Sequence, residues 1–111
     1  PWEFCGEIGD NSAYPGDQIT ANNMRAVAAH GRKLGIPINY GEFGVGRDDN
    51  QQQRNTDLVR NYYRTVVQTA VEEGMSSSVW EDRGWFGLIE GSVESGFTYK
   101  YNIVPYMLLE E

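Results

Sequence analysis

Residues 58–71 carry Leu58, Val59, Tyr62, Tyr63, Val66, Val67, Ala70 and Val71 on one continuous helical face, and Gly74 stands where such a helix stops. The pattern then changes at once to "MSSSVW" (75–80), which reads as a short strand. The same two-part unit stands upstream. A helix capped by Asp17 or Thr20 has Met24, Val27, Ala28 and Leu34 at helical spacing and ends at Gly35. A strand over residues 36–41 follows, running directly into Glu42. Helices alternating with strands predict βαβ units and parallel pairing.

Between and around these elements the chain is polar and rich in turn formers. Residues 1–18 read as a long loop, with turn signals at Gly9-Asp10 and Pro15-Gly16. Residues 44–54 form a polar loop, residues 81–98 a second long one, and residues 102–110 a last helix with Asn102 as cap and Pro105 in its first turn. Only two strands emerge. A two-stranded parallel sheet can neither cover both its faces nor hide its edges, and parallel sheets are normally covered on both sides. The expected fold class is therefore α/β, as a partial (β/α)8 barrel completed by further sequence or by a partner chain. The sequence opens at Pro1, without a methionine, and reads as the later part of something longer.

Composition narrows the function classes. The formal net charge of −7 disfavours nucleic acid and anionic membrane as partners, because both call for basic patches. Aromatic residues reach 13%, more than a small core needs, and flat rings are what sugars bind against. The lone Cys5 cannot form an intrachain disulfide and reads as a small semi-buried residue rather than a reactive thiol. His30 has no second histidine or cysteine near it, so neither a metal nor an organic cofactor is implied.

The chemistry is expected at the strand ends, where barrel enzymes place their catalytic groups. Those ends are Glu42 and Trp80. A carboxylate beside an aromatic ring suits glycoside chemistry, in which one attacks or stabilises an oxocarbenium-like centre and the other supports the sugar's apolar face. Gly41 and Gly44 would let the backbone turn sharply and a substrate come close. On spacing alone, Glu42 reads equally well as a solvated loop residue, and Trp80 as a core aromatic.

The run from "GIPINYGEFGVG" through "RNTDLVRNYYRTVVQTAVEEGM" to "SSSVWEDRGWFGL" resembles the C-terminal part of glycoside hydrolase family 5, retaining (β/α)8 enzymes that include many endo-β-1,4-glucanases. The resemblance implies that residues 1–111 are the C-terminal fragment of such a catalytic domain, about strands 7–8 with helices 6–8. It further implies that Glu42, in the "GEFG" motif, is the nucleophile, and that Trp80 lines the subsite of the cleaved sugar. "PWEF" is similar to the loop after the family's sixth strand, which adds Trp2 as a substrate-binding residue. The implied partners are a β-glucan and the N-terminal remainder of the barrel or a second copy of the chain. The implied localisation is secreted.

The family's acid/base glutamate has no counterpart here, and a retaining glycosidase needs both carboxyl groups. Glu81, Asp82, Glu3 and Glu7 read as loop solvation rather than as the missing acid. Two expectations follow. Either the chain supplies half of a catalytic pair to a cellulase-type enzyme, or it is a non-catalytic partial barrel that oligomerises and at most binds sugar through tryptophans such as Trp80, Trp85 and Trp2.

Overall fold

The computed structural model describes residues 16–47 and 54–108. In chain order they form α1 (Gly16–Leu34), β1 (Asn39–Phe43), α2 (Asp57–Glu73), β2 (Ser76–Val79), β3 (Ile89–Ser92), β4 (Gly96–Tyr99) and α3 (Ile103–Met107). The expected loop over residues 1–18 lies outside the described residues up to residue 15, as do Trp2, Glu3, Cys5 and Glu7.

The long helix forms where the periodicity places it. Thr56 caps it by accepting a hydrogen bond from the Val59 amide on its hydroxyl, 3.1 Å. Gly74 ends it in the left-handed region (φ 73°, ψ 26°). The Gly74 and Met75 amides then donate to the Val71 and Ala70 carbonyls, a Schellman closure. Its buried face comprises Val59, Tyr62, Tyr63, Val66, Thr69 and Ala70; Val71, expected there, is exposed.

In α1 the buried stripe is Ala21, Met24, Ala28 and Gly31. Those positions are spaced three, four and three apart, so Val27 and Leu34 are left exposed. Gly31 belongs to the stripe because Ile38 packs there: a Cβ on it would stand 2.4 Å from Ile38 Cγ1. The helix already begins at Gly16, ahead of both expected caps, and Thr20 is buried within it.

Strands β1 and β2 pair in parallel, as expected; α2 packs beside β2, and α1 packs on α2. The first strand runs later than the sequence implies: Glu42 lies inside it, because the ladder continues through Phe43↔Val79 and the Trp80 amide donates to the Phe43 carbonyl at 2.9 Å. The register slips between Tyr40 and Glu42, leaving Gly41 as the extra residue of a β-bulge. The slip resets the strand's alternation. Tyr40 and Phe43 both join the core on the helix side, their ring centroids 6.3 Å apart, while Glu42 falls on the opposite face with Asn39, Ser76 and Ser78. All four are exposed.

The core under the helix-facing side gathers Met24, Ala28, Phe43, Val45, Val59, Tyr63, Val66 and Met75, and Leu88, Ile103 and Met107 extend it. The final helix is shorter than expected, residues 103–107, with Asn102 at its cap position in the left-handed region but making no side-chain cap bond. An antiparallel hairpin, β3–β4, occupies most of what reads in sequence as a long loop. Its strands are exposed or half-buried throughout, so no apolar alternation marks it.

Candidate functional site

Parallel strands bring their carboxyl ends to the same edge, and that edge is where ligand sites of such sheets form. Here β1 ends just beyond Glu42 and β2 just before Trp80, and the Trp80–Phe43 backbone hydrogen bond holds the two ends together. An open cleft of about 400 Å3 lies there, lined by Glu42, Phe43, Gly44, Trp80 and Phe86. The structure thus brings together two of the three expected site residues, Glu42 and Trp80, both exposed to solvent. The third, Trp2, is outside the described residues.

Phe86 is the residue the sequence reading missed, and a chain of hydrogen bonds puts it in place. Asp82 Oδ1 accepts from the Gly84 amide (2.7 Å) and the Phe86 amide (3.1 Å). These bonds, the Gly84 amide first, hold the Asp82 carboxyl below its ordinary value, and the Trp80 indole donates to it as well. Glu81 accepts from the amides of Arg83, Leu88 and Ile89, the last at 3.2 Å. Both carboxylates are therefore committed to folding the loop after β2, a more specific role than the solvation expected of them. The Arg47 amide then ties the loop to the exit of β1 by donating to the Trp85 carbonyl, 3.1 Å.

Two glycines of "GEFGVG", Gly44 and Gly46, make room for Phe86. A Cβ at Gly44 would stand 2.9 Å from Phe86 Cδ1, and one at Gly46 only 2.6 Å from Cζ. Gly41 and Gly44 are not among the residues with positive φ, and Gly41 carries the bulge. Gly41 does face open space, with nothing within 4 Å of an added Cβ.

Beneath the cleft lies a buried polar cluster that no motif announces. Arg54, fully buried, donates to the Gly87 carbonyl at 2.8 Å and lies 5.6 Å from the centre of the Tyr101 ring. Tyr63, also fully buried, accepts the Val45 amide on its hydroxyl at 2.9 Å and neighbours Arg54. Burial raises the Tyr63 phenol above its ordinary value, with the Val45 amide and Arg54 opposing that rise. Among the described residues no group of three or more His, Cys, Asp and Glu could hold a metal ion.

Three solved structures share the fold of this chain. A hyperthermophilic endo-β-1,4-glucanase in complex with substrate superposes with a TM-score of 0.70 at 22% identity over 93% of this chain. Thermotoga maritima Cel5A in complex with mannotriose gives 0.69 at 17% over 91%, and a further endoglucanase 0.67 at 18% over 95%. The fold is that of part of an endoglucanase. The chain spans 30%, 30% and 35% of those three chains respectively, so the endoglucanase-like fold covers about a third of each. At these identities the likeness is one of fold. No protein-family model and no curated protein matches the sequence.

Proposed function

We propose that this chain is the C-terminal segment of a (β/α)8 retaining endo-β-1,4-glucanase of the family 5 type, and that Glu42 is its nucleophile. The observation that carries the reading is Glu42 and Trp80 on the carboxyl ends of adjacent parallel strands, opening on one cleft, in a fold shared with three endoglucanases.

On this reading a β-1,4-linked glucan lies against Trp80, and Phe86 walls the cleft opposite. Glu42 attacks the anomeric carbon while an acid supplied from outside this chain protonates the departing glycosidic oxygen. That acid must sit roughly 5–5.5 Å from Glu42 for retention of configuration. Water then releases the sugar from the glycosyl-enzyme, with the same acid, now a base, taking its proton. Glu81 and Asp82 do not stand in for the acid, because their oxygens are held by loop amides. Trp2 as a further sugar contact, and secretion, belong to the same reading.

A second reading keeps the sugar and drops the reaction. It is favoured by one fact: of the acidic residues near the cleft among the described residues, Glu42, Glu81 and Asp82, only Glu42 is not tied to backbone amides. In that case the chain binds glucan as an oligomer and turns nothing over. Hydrolysis of carboxymethyl cellulose by the natural polypeptide that carries this sequence separates the two. The glucanase reading expects turnover that Glu42→Gln abolishes, by at least about a thousandfold, the scale on which loss of a covalent nucleophile is felt. Turnover that survives Glu42→Gln removes Glu42 as nucleophile, and absence of turnover with multimeric elution leaves the binding reading.

A further inference from the structure

Two walls bound the cleft. The Glu42 wall leaves β1 through Phe43, Gly44 and Val45; the Phe86 wall belongs to the loop that continues into Gly87 and Leu88. The Arg47–Trp85 backbone bond ties the two walls at their outer end, and Asp82 and Glu81 brace the Phe86 loop. Each wall is in addition pinned from below by a fully buried polar side chain from the same stretch of chain. Tyr63, on the second turn of α2, takes the Val45 amide, three residues past Glu42. Arg54, just ahead of α2, holds the Gly87 carbonyl, next to Phe86. The two anchors touch one another, and Glu81 lies near enough to Tyr63 to act on it electrostatically.

We infer that Tyr63 and Arg54 are positioning residues which set the separation and aim of the two walls, Tyr63 fixing the Glu42 side and Arg54 the Phe86 side. The physical reason is that both bonds are buried. A backbone amide or carbonyl sealed from water keeps its partner at full strength, and neither wall can drift without leaving one unsatisfied. A nucleophile also tolerates little displacement, since a shift of about 1 Å can cost a hundredfold in rate. The two anchors therefore act on different kinetic quantities. Tyr63 governs how Glu42 meets the anomeric carbon, an effect on the reacting state. Arg54 governs how closely Phe86 meets the sugar, an effect felt equally before and during reaction.

This inference rests on the glucanase reading for its kinetics and on geometry alone for the rest, so the test has two arms. In the natural polypeptide, with cellotetraose as substrate and at a temperature where circular dichroism shows each variant fully folded, Tyr63→Phe is expected to lower kcat ten- to a hundredfold with KM within about threefold, the signature of an interaction made in the transition state. Arg54→Lys is expected to raise KM about tenfold with kcat nearly kept; Arg54→Gln serves if the lysine variant does not fold. In parallel, amide hydrogen exchange should quicken over residues 43–47 in Tyr63→Phe and over residues 84–89 in the Arg54 variant, with α1 unchanged in both. Unchanged kinetics, a kcat loss that disappears once rates are normalised to folded enzyme, or exchange that quickens evenly along the chain, would each overturn the assignment. If the unmutated protein turns over no cellotetraose, the glucanase reading is what fails, and the exchange maps decide whether the anchors hold the walls.

Discussion

The Phe86 ring occupies space that the main chain of β1's exit vacates only because residues 44 and 46 lack a Cβ. The approach at Gly46 is the closer, 2.6 Å to the ring's far edge. Gly46→Ala should therefore push the ring out of the cleft, at a cost of about 1–3 kcal/mol for overpacking. Phe86→Ala removes the obstacle, so the two substitutions should be non-additive in a double-mutant cycle: Gly46→Ala costs little once Phe86 is gone. Additive melting shifts would mean that the glycine serves something other than the ring. Glu42 and Trp80 were legible in the sequence because one rule about strand ends locates both. Arg54, Tyr63 and Phe86 were not, because each meets a partner far along the chain: Arg54 the Gly87 carbonyl, Tyr63 the Val45 amide, and the Phe86 ring the space above Gly44 and Gly46. Nothing in local spacing encodes such a contact.

Elements differ in the same way. The second helix was readable in its stripe, Val71 apart, and in its Gly74 stop because both are local; the Thr56 cap is equally local but was not singled out. Thr56→Ala removes the cap on the Val59 amide and should cost about 1 kcal/mol, seen as a fall of roughly 4 °C in Tm. Gly74→Ala forces a Cβ into the left-handed region and should cost about 1–2 kcal/mol with no change in what the helix packs against. A Tm unmoved by either would mean that the helix ends are held by tertiary contacts alone. The β3–β4 hairpin escaped notice for the opposite reason. Its signals, Gly91 and Gly96 with positive φ and the Ser92–Ser95 side-chain bonds between them, are turn signals, and a strand pair exposed on both sides has no apolar alternation to add to them. The bulge at Gly41 is subtler still. Alternation counted straight through "NYGEF" puts Tyr40 and Glu42 on one face, and only the slipped register separates them.

At the scale of the whole molecule, two groups tie stability to pH from opposite ends. The folded Tyr63 phenol is raised above 10.0, so its contribution is intact below pH 10.0 and is lost as pH rises through the folded value. The folded Asp82 carboxyl is lowered below 3.8, so its contribution is intact above pH 3.8 and is lost as pH falls through the folded value. Melting temperature should accordingly be level with respect to these two groups between them, and Tyr63→Phe should flatten the alkaline limb while sparing the acid one. An alkaline limb unchanged in that variant would assign it to other groups. The alternation of helix and strand showed that the chain has an α/β fold with a parallel pair, while the extent of its cover could not be read, since cover depends on what meets the sheet.

The sheet face that carries Glu42 bears on that last point. Alongside the carboxylate it presents the Asn39 amide and the hydroxyls of Ser76 and Ser78, with Ser76 donating to Asn39 at 2.8 Å. Barrel interiors are ordinarily filled by branched aliphatic residues. A greasy plug laid on this face would strip water from four polar side chains and return nothing, at several kcal/mol. Whatever lies against it, protein or sugar, must arrive with hydrogen-bond donors and acceptors of its own or leave water between. This face of the sheet is thus wetted by its own sequence, and its neighbours are selected for polarity before they are selected for shape.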